Sequence, residues 1–240
     1  MVSAFGFIFI SPVYGHANPV SYIPQVNQIF SSIEDIPSVI KITFTERPEP
    51  KASNIQVFDQ NNIRVDNNDF TVVDSKTASI TLDKSKLNPG TYTVKWIVLS
   101  KDDGHITKGS YVFSIQTTIS QQENKQISSN QSSIFSKNLD FDELKVKVDI
   151  SPLRVGANTF NITVTDNNGN LVESIRNIFL EFSNPAKDLG PIVDTMTKTF
   201  SGKYTTTGSF ISQSGDWEIK IIIQRINAYD LDQILKLNVM

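Results

Sequence analysis

The chain has 240 residues, with 22 basic and 25 acidic side chains, two histidines and no cysteine. That length allows one large domain or two of about 100 residues, and the slight acidic excess offers no basic surface to neutralise phosphates, which argues against nucleic acid as a partner. Without cysteine there is no disulfide framework, thiolate zinc site, Fe–S cluster or blue-copper thiolate, so any metal must be held by His16, His105, carboxylates or backbone groups.

The chain opens with an uncharged apolar run from Val2 to Val13. It is too short for a membrane helix, which needs about 20 residues, and suits the apolar core of a secretory signal. Val13 and Gly15 supply a −3 and −1 pattern for cleavage before His16, although the basic residue expected ahead of the run is missing. A buried first strand is the other reading of the same residues. Residues 1–15 are therefore expected to be a cleaved signal peptide. His16 then carries the free α-amine, the mature chain keeps no transmembrane helix of its own, and the protein resides in a periplasm, at the cell surface or outside the cell.

From His16 onward the pattern is one of short alternating strands between turn residues. Ile40, Ile42 and Phe44 alternate; Ile55-Gln56-Val57-Phe58 runs into Asp59-Gln60-Asn61-Asn62; Ile80 and Leu82 precede Asn88-Pro89-Gly90. Tyr92, Val94, Trp96 and Val98 share one strand face, with Thr91, Thr93 and Lys95 on the other, and Tyr111, Phe113 and Ile115 repeat the period of two. Such strands at this spacing predict a β-sandwich. Residues 117–140 are dominated by Ser, Gln and Asn, too little apolar surface to order themselves, and are expected to be a polar linker.

Alternation resumes at Val146, Val148 and Ile150, then Phe160, Ile162 and Val164, with Asp166-Asn167-Asn168-Gly169 as a turn. Ile178, Leu180 and Phe182, then Trp217, Ile219, Ile221 and Ile223, and finally Leu235, Leu237 and Val239 complete a second all-β domain over 141–240. The expected architecture is thus all-β: two β-sandwich domains, 16–116 and 141–240, joined by the linker. Trp217 and Tyr204 are expected as core aromatics.

The second histidine lies in Ser100-Lys101-Asp102-Asp103-Gly104-His105, a polar turn between two strongly alternating strands. Asp103 and His105 flank one glycine, so a single turn can aim a carboxylate oxygen and an imidazole nitrogen at one point. Were the processed terminus to meet that point, the donors would be an amine, two imidazoles and a carboxylate, a set suited to tetragonal Cu(II). An Asp-Gly-His turn alone is more often an ordinary turn; the placement of the only two histidines is what makes the pattern informative.

In combination these residues resemble the CopC family of periplasmic copper-resistance proteins. The resemblance rests on His16-Ala17, the strand Ile42-Thr43-Phe44-Thr45-Glu46, Leu87-Asn88-Pro89-Gly90-Thr91-Tyr92 with Val94 and Trp96, and Asp103-Gly104-His105 through Gly109, Tyr111 and Phe113. It spans about residues 16–116. It implies a cupredoxin-like or Ig-like Greek-key domain binding one Cu(II) per chain through His16, Asp103 and His105, with Asp102 as the substitute carboxylate. Some members of the family carry a methionine-rich Cu(I) site; here the methionines are Met1, Met196 and Met240, so that site is not expected. The second half resembles, more weakly, YtkA-like or FixH-like β-domains, through Pro152 to Asn158, the Phe160 to Val164 strand, Asp188-Leu189-Gly190 and Ser214-Gly215-Asp216-Trp217.

The function implied is copper buffering, resistance or delivery to a CopD-like membrane transporter or a cuproenzyme, without catalysis. Two other readings remain at this level. One is a histidine-brace copper oxidase of the lytic polysaccharide monooxygenase kind; the other is a surface or adhesion protein in which the histidines are incidental.

Overall fold

The computed structural model describes residues 16–116, 134–141 and 143–240. The expected signal peptide and most of the expected linker lie outside these residues. In chain order the first half runs β1 (Pro19–Ile23), β2 (Gln28–Phe30), β3 (Val39–Phe44), β4 (Asn54–Phe58), β5 (Thr71–Val72), β6 (Thr77–Thr81), β7 (Gly90–Leu99) and β8 (Ile106–Ile115). The second half runs β9 (Phe135–Phe141), β10 (Leu144–Ser151), β11 (Gly156–Asp166), β12 (Ile175–Asn184), β13 (Leu189–Thr195), β14 (Thr197–Phe200), β15 (Lys203–Ile211), β16 (Gly215–Arg225) and β17 (Leu231–Val239). Among the described residues there is no α-helix, only two 3-10 turns, and the protein is all-β as the alternation predicts.

Four sheets form, in the orders β1-β3-β6-β5, β2-β8-β7-β4, β14-β15-β11-β10-β9 and β13-β12-β16-β17. The first two enclose one apolar core, built on Ile40, Ile42, Phe44, Ile55, Val57, Tyr92, Val94, Val98 and Phe113. The last two enclose another, built on Val146, Ile150, Phe160, Phe182, Phe210, Trp217 and Ile221. Each inward side chain sits two residues from the next, because successive residues of a strand point to opposite faces. Trp217 and Tyr204 are both buried in the second core.

Three features depart from the sequence expectations or add to them. Strand β9 begins at Phe135, inside the stretch expected to be linker, because Leu139 and Phe141 have an apolar face to fill beside β10. Strands β13 and β15 have no clear alternation: β13 carries Gly190-Pro191, and β15 is threonine-rich. Both pack against β8 of the first sandwich, so their exposed-looking faces are covered by another part of the chain.

The third feature is the seam between the sandwiches. Along β8, Tyr111 and Phe113 enter the first core while Val112, between them, enters the second. The polar face of β7 is buried too: Thr91 and Thr93 are 4% and 0% exposed. Thr93 donates to Ser212 Oγ at 2.7 Å, Ser114 to Ser209 Oγ at 3.0 Å, and the Gly190 N–H to Ser110 Oγ at 3.1 Å. The Asn27 side chain stands in for a peptide unit, donating to the Thr207 carbonyl at 3.0 Å and accepting from the Ser209 N–H at 3.1 Å. Gly208 is required beside it, since a Cβ there would lie 2.8 Å from Asn27 Nδ2 and 2.4 Å from the Phe210 ring.

Candidate metal centre

The loop between β7 and β8 closes on itself. Ser100 N–H donates to the His105 carbonyl at 2.8 Å and Gly104 N–H to the Ser100 carbonyl at 3.0 Å. Gly104 has φ of +75°, a left-handed conformation that glycine adopts at least cost. The loop is thereby folded so that the side chains of Asp103 and His105 meet: His105 Nδ1 lies 3.0 Å from Asp103 Oδ2, and the His105 N–H donates to Asp103 Oδ1 at 3.0 Å.

The first described residues arrive at the same place. His16 Nδ1 lies 3.5 Å from Asp103 Oδ2, and the rings of His16 and His105 are 4.7 Å apart, edge to face. One ligand atom from each of His16, Asp103 and His105 lies within 4.8 Å of the others, and all three residues are exposed. The structure therefore brings together the three residues singled out in the sequence, from near the two ends of the first sandwich's stretch of chain.

Asp102 faces elsewhere. It accepts from the Arg47 N–H at 2.9 Å and from Arg47 Nε at 2.6 Å, and these bonds hold its carboxyl below the usual carboxylate range. The substitute ligand is thus engaged in a clamp between the loop and the segment following β3.

Asp103 is held at about 2, chiefly by the bond from the His105 N–H and further by Ser100 and the neighbouring imidazole, against an opposing desolvation effect. A carboxylate this acidic stays anionic and accepting over the whole physiological range.

Glu46 was missed in the sequence. Its Oε1 accepts the His16 N–H at 3.3 Å and its Oε2 accepts from Ser100 Oγ at 2.5 Å. Ser100 is almost fully buried and also accepts the N–H groups of Asp102 and Asp103 at 3.1 and 3.2 Å. One carboxylate thus links the main-chain nitrogen of His16 to the base of the loop. The strand Ile42 to Glu46 was already visible in the sequence, but a lone acidic residue after it carries no signal of what it faces. His16 itself has φ of +128°, a region residues with side chains rarely adopt.

The donor set fits a borderline metal ion. Two imidazoles and a carboxylate gather at one exposed point, and the main-chain nitrogen of His16 is held by Glu46.

The class of protein is thus a two-sandwich chain with a nitrogen and carboxylate cluster at one end of the first sandwich. Comparison places that sandwich. The CopC domain profile matches residues 25–116, and Protein YobA of Escherichia coli K12 is 34% identical over 106 residues, spanning 43% of this chain and 82% of that protein. The chain belongs to the CopC family. Among solved structures, CopC from Methylosinus trichosporium OB3b is 27% identical, with 46% of this chain and 100% of that one covered, at a TM-score of 0.35. PcoC of Escherichia coli, described as a methionine-rich copper resistance protein, is 23% identical, with 42% and 100% covered, at a TM-score of 0.34. The only methionine of residues 134–240 apart from the terminal Met240 is Met196, which is buried in the second core.

Proposed function

We propose that the protein binds one Cu(II) per chain through His16, Asp103 and His105, and holds it for buffering, resistance or transfer. The observation that carries this reading is the convergence of one donor atom from each of these residues to within 4.8 Å. Nitrogen and carboxylate donors suit Cu(II), which also leads the divalent affinity order, whereas Cu(I) favours sulfur. With the chain cut before His16, the terminal amine joins Nδ1 of the same residue as a chelating pair. An amine there could still donate to Glu46, as the His16 nitrogen does.

Such a protein works outside the cytoplasmic membrane, and the exposure of all three residues leaves the ion accessible to a receiving partner such as a CopD-like transporter or a cuproenzyme. The histidine-brace oxidase reading is disfavoured because Asp103 Oδ2 lies between the two imidazoles, 3.5 and 3.0 Å from their Nδ1 atoms, and takes a coordination position that dioxygen chemistry requires.

The test is native mass spectrometry of the secreted protein with Cu(II) added, which reads the cleavage position and the stoichiometry together. One copper on a chain beginning at His16 is expected; a properly processed chain with no bound copper overturns the proposal.

A further inference from the structure

Under the proposed cleavage the residues next to His16 become the start of the chain, where the first few residues are normally poorly ordered unless tied down; here they are tied down. Thr45 Oγ1 donates to the His16 carbonyl at 2.8 Å and accepts the Asn18 N–H at 2.9 Å. The Thr45 N–H in turn donates to the Asn18 carbonyl at 2.8 Å. Thr107 Oγ1 donates to the Ala17 carbonyl at 2.8 Å. Between these bonds the Ala17 methyl is 0% exposed and belongs to the first core. Both threonines sit on the segments that supply the cluster: Thr45 immediately precedes Glu46, and Thr107 lies two residues beyond His105 on β8.

We propose that Thr45, Thr107 and the buried Ala17 form a latch that positions His16 for metal capture. The hydroxyls grip successive peptide carbonyls, so the terminal segment is registered against the same two segments that carry Glu46 and His105. The inference deepens the copper reading and rests on it for its consequence, though not for the latch itself. An unlatched terminus would have to be ordered at each binding event, a backbone entropy cost for every residue fixed. A binding-competent conformer that is only partly populated weakens apparent affinity in proportion. None of the three residues donates an atom to the cluster, so they are positioning residues.

The experiment compares the full chain, processed before His16, with Thr107→Val, Thr45→Val and the hydroxyl-retaining Thr107→Ser. Cu(II) affinity by competition titration should fall about 5–10-fold in Thr107→Val, the loss expected for one hydrogen bond, and further in Thr45→Val, whose hydroxyl makes two. The EPR spectrum of the loaded protein should be unchanged because the donors are unchanged, and Thr107→Ser should restore affinity. In the metal-free protein, NMR order parameters of Ala17 and Asn18 should drop in the valine variants while the melting of the core stays put. Ala17→Gly, which removes the buried methyl, should loosen the same residues and keeps the test open if a valine variant fails to fold. Unchanged order at 17 and 18 together with unchanged affinity overturns the latch, and so does a changed EPR spectrum with unchanged order, since the hydroxyl would then be acting on the donors. If the parent protein binds no copper the functional proposal falls, and the latch is still judged by the metal-free order parameters.

Discussion

The metal end of the first sandwich and the seam between the sandwiches use similar polar side chains to opposite ends. At the metal end, Ser100, Thr45 and Thr107 hold backbone so that His16, Asp103 and His105 remain exposed and free to take a ligand. At the seam, Thr93, Ser212, Ser114 and Ser209 satisfy one another in a nearly dry interface. A polar group removed from water is tolerable only when it is paired, and these hydroxyls of the seam meet that condition in pairs. The metal end leaves donor atoms facing solvent, which is the condition for an ion to enter. The contrast implies that changes at the metal end should alter binding with little effect on stability, and changes at the seam should do the reverse.

The largest effect tests the first half of that contrast. His16→Ala, or one extra residue ahead of His16, should weaken Cu(II) binding by more than about 100-fold, beyond the range typical of residues outside the coordination shell. The melting temperature should be nearly unaffected, and competition titration beside thermal melting reads both. Equal affinity in the extended and processed forms would remove the amine from the donor set.

Asn27→Ala should do the reverse. It strips partners from the Thr207 carbonyl and the Ser209 N–H, at a cost of about 1–3 kcal/mol or several degrees in melting temperature, with copper affinity kept. A loss of copper binding in this variant would show that the seam and the metal end are coupled.

Acid should act on folding and on copper binding. Asp103 is lowered from 3.8 to about 2, so its contribution to folding is complete above pH 3.8 and is lost as the pH falls towards 2. Metal binding releases protons from its donors, so copper affinity should also fall as the pH drops. Stability of the metal-free protein and of Asp103→Asn should differ above about pH 4, given an ordinary carboxyl value of ~3.9, and the difference should close as the pH falls towards 2.

The smallest effect is expected from Asp188→Asn. Its carboxylate meets Lys95 and Lys108 at 3.2 and 3.6 Å at the rim of the seam, with its own side chain 77% exposed, and exposed pairs contribute about 0–1 kcal/mol. A shift in melting as large as that of Asn27→Ala would mean the seam is held at its rim rather than by its buried bonds.

Much of this protein is local and was therefore legible in the sequence. The period of two exposes β3, β4, β7, β8, β10, β11, β12, β16 and β17, because alternation follows from strand geometry alone. The Asp103-Gly104-His105 turn is local as well, since its glycine and its short loop lie within one stretch of chain.

The tertiary structure decided the rest, for the reason that those contacts join residues far apart in the chain. That Glu46 meets the nitrogen of His16, that Thr107 reaches the Ala17 carbonyl, and that Arg47 takes Asp102 out of the donor set all depend on how strand ends dock, which no local pattern encodes. The burial of Thr91 and Thr93 is of the same kind. By sequence they are the solvent side of β7, and they are buried because a second sandwich, whose own β13 and β15 read poorly as strands, packs over that face. Alternation determines which side chains share a face; only the assembled chain determines whether that face meets water, another sheet or a metal ion.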